Sequence, residues 1–429
     1  MKKLFILIFL VFFSGTGLIL PQWNLKTNGI PDAVTIGWAI DACDNNTAII
    51  SVSYFNSLFM TTDAGENWYS RIVPENSISD VSMIDAENIW IGSPSGKIYR
   101  STDGGINWVK QYDNSSETNF INYIEMFTEN WGVAMGDGPS SVEDPAAILK
   151  TQSGGEYWHY VNNSAFGGWS GDMWRRIDFI DMNIGYFYAS GLDPQKLYKT
   201  IDGGYNWQAT SFGEGARLVK FYNESIGFVE SYPDELYKTI NGGNTWEVFH
   251  TNAEGWPNDF EFLPGNPNFV WYTTLSGLYY STDMGETWTE YYLTDEDLRG
   301  RDIVFTDDNH GWLLCDNGRV YYTDNNGGIV TDVDDNMYSN IPSSFQLNQN
   351  YPNPFNPTTV ISFHLPASSH AVLKVYDVLG NEVATLIDEY KSPGTYEVTF
   401  NGSDLSSGIY LYTVQAGNLS ETKKLVLMK

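Results

Sequence analysis

An eight-residue figure returns along this chain at a steady interval, and few folds can accommodate such a repeat. Its clearest copy is Ser281-Thr282-Asp283-Met284-Gly285-Glu286-Thr287-Trp288. Ser or Thr stands first, Asp or Asn third, Gly fifth and Trp eighth. The third residue can accept hydrogen bonds from backbone N–H groups just ahead of it and fold a tight Asx-type turn. The glycine supplies a position where φ can be positive. The tryptophan opens the next strand and buries a large ring whose N–H needs a partner. Further copies end at Trp68, Trp108, Trp158, Trp207 and Trp246, with Asp63, Asp103, Asp202 and Asn241 among their third residues, and a decayed copy runs from Thr323 to Val330. Between closing residues the spacings are 40, 50, 49, 39, 42 and 42, the period of a four-stranded propeller blade.

Each repeat reads as an apolar strand, a Gly-aromatic pair, a second and third strand and then the eight-residue turn. Blade seven shows the order in Asp302-Ile303-Val304-Phe305, Gly311-Trp312-Leu313-Leu314 and Arg319-Val320-Tyr321-Tyr322. With strands lettered A to D from the axis outward, the turn lies between C and D. Val330 stands where the last tryptophan belongs. Gln22-Trp23-Asn24-Leu25 looks like a D strand with no turn before it, so the expectation is that the N-terminal strand completes the last blade. That closes a ring of seven and removes its free edge; six blades is the alternative. Two insertions break the repeat, Gly136 to Pro145 between B and C of blade three and Asn162 to Trp174 before strand A of blade four. Both emerge opposite the eight-residue turns.

Lys+Arg 23 against Asp+Glu 53 leaves a net charge of −30, which argues against nucleic acid or anionic lipid as the partner. Met1-Lys2-Lys3, an apolar Leu4 to Phe13 and small residues at Ser14 to Gly17 read as a signal peptide over residues 1–17, with an uncleaved anchor as the alternative. Cys43 and Cys315 are too few for a disulfide scaffold. They fall in blades one and seven, which closure makes neighbours, so a bond across the seam and two free thiols both remain open.

Aligning the A strands on Phe179, Phe221 and Phe305 places Arg175, Arg217 and Arg301 four residues earlier, with Arg176 and Arg299 close by; these are five of eight arginines. At the mouth of strand A their guanidinium groups can hold a carboxylate or another anion bidentately. The alternative is pairing with nearby acids such as Asp172, Glu214 or Asp297. Asp332, Asp334 and Asp335 lack the glycine and terminal glutamate of a calcium loop and read as linker. No metal or cofactor is expected.

The eight-residue figure resembles the Asp-box repeat of sialidases, sortilin-type receptors, xyloglucan hydrolases and photosystem II assembly factor-like propellers. The last of these match in blade number and in arginines at the starts of inner strands, which implies a fold and a protein-binding face rather than a reaction. A sialidase needs an early Arg-Ile-Pro motif, and Arg71-Ile72-Val73-Pro74 differs from it in spacing and place.

From residue 346 the texture changes. Strands are expected at Thr359 to Leu365, Val372 to Val378, Glu382 to Leu386, Gly394 to Phe400, Gly408 to Val414 and Leu425 to Met428, with a hairpin turn at Gly380-Asn381. They suggest a small Ig-like β-sandwich. Tyr351-Pro352-Asn353-Pro354-Phe355-Asn356-Pro357, Val375-Tyr376-Asp377-Val378-Leu379-Gly380, Ser407-Gly408-Ile409-Tyr410 and Glu421-Thr422-Lys423-Lys424 resemble the type IX secretion sorting domain. That resemblance implies export to the outer-membrane surface or beyond.

The expected organisation is therefore all-β: a signal peptide, a propeller over 22–333, a linker over 334–345 and a sorting domain over 346–429. The expected function is binding of an extracellular glycan or surface protein by a monomeric propeller. Trp169 and Trp174 would be stacking platforms, Arg175, Arg217 and Arg301 anion contacts, and Asp137 and Asp172 polar partners. A glycoside hydrolase or lyase acting on an acidic polysaccharide is the alternative.

Overall fold

A computed structural model describes residues 23–53, 56–139, 146–161, 176–189, 195–213, 215–231, 235–250, 253, 255–293, 299–329, 345–365, 369–391, 394–403, 405–416 and 419–429. The signal peptide, residues 140–145 of the first insertion, residues 162–174 of the second, and Asp332, Asp334 and Asp335 lie outside the described residues.

Seven four-stranded antiparallel sheets follow one another along the chain. Their A strands are Gly37–Ala42, Asp80–Met83, Phe120–Met126, Ile177–Phe179, Ala216–Phe221, Pro257–Leu263 and Gly300–Phe305. The last sheet takes its fourth strand from the N-terminus, where Asn24 pairs with Tyr322 and Leu25 with Tyr321. Blade seven meets blade one directly: the Ile40 N–H donates to Asp302 Oδ2 at 2.8 Å, and Asn45 Nδ2 donates to Asp307 Oδ2 at 2.9 Å. Trp23 packs into the core of blades six and seven, 5.5 Å from Trp271 and 5.8 Å from Phe305, centroid to centroid.

The Asp-box turns share one set of bonds. In blade six the Ser281 hydroxyl donates to Asp283 Oδ1 at 2.8 Å and accepts the Gly285 N–H at 2.8 Å. Asp283 Oδ1 also accepts the Thr287 N–H at 2.8 Å, and Oδ2 accepts the Thr287 hydroxyl at 2.6 Å. The first residue is thus a working part of the turn. Residues four and five both take positive φ, including the non-glycine Ala64 and Met284 at 56°. The fourth N–H is always spent on the A–B turn of its own blade, from Ala64 to Asn46 O through Met284 to Asn268 O and Asn326 to Asn309 O. Most of those A–B turns are Asx turns as well: Asp85 Oδ1 accepts the N–H groups of Glu87 and Asn88, and Asp307 Oδ1 those of Asn309 and His310, while in blade three the Thr128 hydroxyl takes the same place.

One expectation needs correcting here, and one role of the boxes adds to it. Trp68, Trp207 and Trp246 donate their ring N–H to Lys26 O, Gly204 O and Gly243 O, but those of Trp108, Trp158 and Trp288 are buried without a partner among the described residues. The boxes also bind beyond their own hairpin. Gly104 O accepts Arg71 Nε of the preceding blade at 2.6 Å, and Gly154 O accepts Trp90 Nε1, Arg100 Nη1 and Gln111 Nε2 at 3.2, 3.1 and 3.0 Å. Arg71 of the sialidase-like stretch is therefore a link between blades. Both cysteines are free thiols, Cys315 buried and Cys43 half-buried, in separate core clusters.

The C-terminal module is a two-sheet sandwich. Strands Gln346–Leu347, Thr358–Leu365 and Gly394–Asn401 form one sheet, and Ser369–Tyr376, Glu382–Lys391, Gly408–Ala416 and Leu419–Leu427 the other. Alternate residues of both sheets, among them Leu347, Ile361, Phe363, Leu373, Val375, Tyr412, Val414, Leu425 and Leu427, fill its core. The last strand begins at Leu419, six residues before the expected Leu425, because its first half carries polar residues on both faces and pairs only as an edge.

Candidate ligand-binding face

The A strands line a common centre, and at one level their side chains sense each other electrostatically. Asp41, Glu125, Asp178, Lys220 and Glu261 stand at this level of blades one, three, four, five and six. Lys220 Nζ lies 2.7 Å from Glu261 Oε2. Burial would lower the Lys220 pKa, but Glu261, Asp178 and Asp259 outweigh it and hold the ammonium well above its usual range. Burial pushes Glu125 well above the carboxylate range, with the charge of Asp178 adding to it. Burial also pushes Asp41 up to about 6, against the N–H groups of Met83 and Ala42, which favour the anion. These side chains keep a little exposure, 15% for Glu261 and 29% for Lys220, as expected for groups that line a narrow axial opening. Desolvation governs them nonetheless, since protein surrounds them on every side.

Part of this acidity is structural. Asp41 Oδ2 accepts the Met83 N–H of the next blade at 2.7 Å, Asp80 Oδ2 that of Ile124 at 2.7 Å, and Asp259 Oδ2 that of Ile303 at 3.3 Å. Each bond satisfies a backbone donor that the innermost strand otherwise leaves without a ladder partner.

Toward the open ends of the A strands, a register shift sets off one residue per blade: Trp38, Asn122, Asn258 and Arg301 in blades one, three, six and seven. A bulge re-aims its side chain, and here each such residue finds a partner near the end of a strand. Arg301 donates Nε and Nη2 to Asp316 Oδ1 and Oδ2 at 2.8 and 3.0 Å. Asn122 Nδ2 donates to Asp137 Oδ1 at 2.7 Å, and Trp38 Nε1 donates to Ser53 Oγ. Asn258 Nδ2 reaches Gly300 O of the next blade at 2.5 Å. In blade five Arg217 plays the same part, donating Nε to Glu230 Oε2 at 3.0 Å and Nη2 to Glu230 Oε1.

The structure thus gives both described arginines an acid, Glu230 and Asp316; the three acids named by proximity in sequence, Asp172, Glu214 and Asp297, lie outside the described residues. Glu230 and Asp316 are buried partners from strand B and its end. Neither was visible as a partner, because strand pairing rather than sequence distance brings them close. Arg175, Trp169, Trp174 and Asp172 lie outside the described residues. Arg176 offers its carbonyl to the Tyr188 N–H at 2.9 Å, and Arg299 its carbonyl to Asp316 N at 3.0 Å.

One residue of this rim was missed. Trp256, at the entry to strand A of blade six, is 53% exposed. The Arg217 guanidinium lies 4.7 Å from its ring centroid, and Leu275 N donates to its carbonyl at 2.9 Å. One ring face rests on a cation that a buried carboxylate holds in place, which favours this pose of the indole. The signal available beforehand was its place, immediately before an inner strand on the insertion-bearing side.

Comparison with known proteins agrees with this architecture. The secretion system C-terminal sorting domain family matches residues 349–428, and the BNR/Asp-box repeat family matches residues 279–290. Among solved structures, YCF48 bound to D1 peptide is similar at 17% identity and a TM-score of 0.57, over 70% of this chain and 96% of that one. YCF48 from Cyanidioschyzon merolae is similar at 18% identity and 0.55, over 70% and 98%. The GH74 enzyme of Niastella koreensis is similar at 11% identity and 0.55, over 93% and 73%. At these identities the likeness concerns the fold. No curated protein matches the chain.

Proposed function

Because the chain is an Asp-box β-propeller exported by a type IX C-terminal sorting domain to the outer-membrane surface or the extracellular space, we propose that it is a binding protein. Its ligand is a glycan or a protein segment, and its docking face is the rim of the axial opening. Trp256 carries this reading. A half-exposed indole held from below by Arg217 and Glu230 offers a flat, immobile surface at little ordering cost. Sugar rings and extended peptides both stack on such a surface. Trp169, Trp174 and Asp172, which the sequence assigns to the insertion-bearing side, lie outside the described residues, so the reading rests on Trp256, Arg217, Arg301 and Asp137.

The ionic state of the rim bears on ligand class. Arg217 and Arg301 are each neutralised by a buried carboxylate, and the level below them carries four acids against one lysine. An uncharged ligand therefore suits this opening better than an acidic polysaccharide. That YCF48 was solved with a D1 peptide keeps the peptide arm open. Binding of the mature protein to neutral glycans, uronate-containing glycans and peptides decides among them. The expected result is a neutral ligand whose affinity falls at least tenfold, about 1.4 kcal/mol, on Trp256→Ala. If Trp256→Ala and Arg301→Ala both leave every detected ligand bound as before, the face is wrong.

A second reading rests on Glu125. Burial raises its carboxyl well above the ordinary range and the charge of Asp178 adds to this, and glycoside hydrolases use two carboxyls whose acidities differ as general acid and base. Release of reducing ends or unsaturated sugars that disappears on Glu125→Gln or Asp137→Asn would replace binding with catalysis.

A further inference from the structure

The sorting domain carries a hairpin tip that is built rigidly and then left apolar. Strands Ser369–Tyr376 and Glu382–Lys391 are joined by Asp377-Val378-Leu379-Gly380-Asn381. Gly380 N donates to Asp377 O at 3.1 Å, Asp377 N donates to Asn381 O at 2.9 Å, and Gly380 takes φ 84°. Asp377 Oδ1 accepts the N–H groups of Leu379 and Asn381 at 2.8 and 2.9 Å, and Oδ2 accepts Asn381 Nδ2 at 2.8 Å. The Asn381 side chain and backbone hold the Asp377 carboxyl below its ordinary range. The same four-apart clamp, from Asp63 to Asn67, shapes the first Asp box.

A turn so fully hydrogen-bonded needs only polar residues at its corners. Here the corners are Val378 and Leu379, 67% and 84% exposed. Among the described residues of this domain they are the one pair of large exposed aliphatic residues adjacent in sequence. They gain nothing from the domain's own core, which is complete without them. The Lys374–Glu382 ion pair at the hairpin base, 2.9 Å, leaves the Asp377 charge as the neighbour of an otherwise apolar tip.

From this geometry we infer that the Asp377–Asn381 tip is the element of the sorting domain that the export machinery grips, by inserting Val378 and Leu379 into an apolar pocket of a type IX component. The occupant follows from the domain's office. The sequence match makes it a sorting domain, which must present some surface to that machinery, and a preformed tip loses little entropy when it docks. The proposal is independent of what the propeller binds.

The test is export of the full chain from a host with a type IX system. The paired substitution Val378→Ser with Leu379→Ser should cut the exported fraction at least tenfold and leave folded, protease-resistant protein in the periplasm. The apolar exchange Val378→Leu with Leu379→Val should export at the wild-type level, which separates gripping from misfolding. Leu419→Ser, at an exposed aliphatic residue of the domain outside the motifs that carry its resemblance, should have no effect. Wild-type export of the serine pair would overturn the inference. So would a serine pair that loses only self-association of the purified protein, since the tip would then face a second copy of the chain.

Discussion

On the box face, six Asp-box turns end each hairpin with nearly the same bonds, whether the third residue is Asp63, Asp202, Asn241 or Asp283. On the rim, one strand-length away, the equivalent positions carry Trp38, Asn122, Arg217, Asn258 and Arg301, each solved differently. The contrast separates two kinds of work. Where the blades do the same thing, the residues hold the ring, because a bond repeated six times is a bond needed by the fold. Where the blades differ, the differences define an asymmetric surface, which is what recognition of an asymmetric ligand requires.

The comparison can be broken most forcefully at the rim. Glu230→Ala leaves the Arg217 guanidinium buried without its acid, and denaturant unfolding should show a loss of about 3–5 kcal/mol. A loss under about 1 kcal/mol would mean that the pair is available to ligands rather than structural.

Next is the axial level. Asp41 is raised to about 6 in the folded chain from an ordinary 3.8. Its protonated form is the one the fold favours, so its contribution is fully present below pH 3.8 and is lost as pH rises through 6. Wild type should therefore lose up to about 3 kcal/mol relative to Asp41→Asn between pH 4 and pH 7. Parallel melting curves for the two proteins would show that Asp41 is ionised without penalty.

On the box face the expected effects are smaller because they are shared. Asp283→Ala removes acceptors for the Thr287 N–H and hydroxyl, about 1–2 kcal/mol by chemical denaturation. The same substitution should leave rim binding unchanged, and a parallel loss of ligand would dissolve the distinction between the faces. Smallest of all is Met284→Gly. Relief of a positive φ at a non-glycine residue exceeds the added chain entropy by a margin of about 0.5 kcal/mol, so the melting temperature should rise slightly.

Much of the fold could be read before any coordinates because box residues act through local geometry. Ser281, Asp283 and Gly285 bond to one another within five positions, so their spacing is their structure. Trp23 with no box before it announced the exchanged strand for the same reason. The A–B turns were equally local, in Asp44-Asn45-Asn46-Thr47 and Asp307-Asp308-Asn309-His310, and went unremarked because they end in no tryptophan. The rim was not legible in this way. Arg301 meets Asp316 across a strand pair with a bulge, and Arg217 meets Glu230 from the neighbouring strand thirteen residues on. A bulge displaces the register by one residue, so alignment by Phe179, Phe221 and Phe305 found the arginines but not their acids.

The exchanged strand has a consequence in time rather than in space. Asn24 and Leu25 find their partners, Tyr322 and Tyr321, only after almost the whole propeller has been made. Bringing together ends roughly 300 residues apart costs about 5 kcal/mol in chain entropy, recovered only when the ring shuts. Early blades therefore wait for the last, and the sheet that closes the circle is the step that commits the chain.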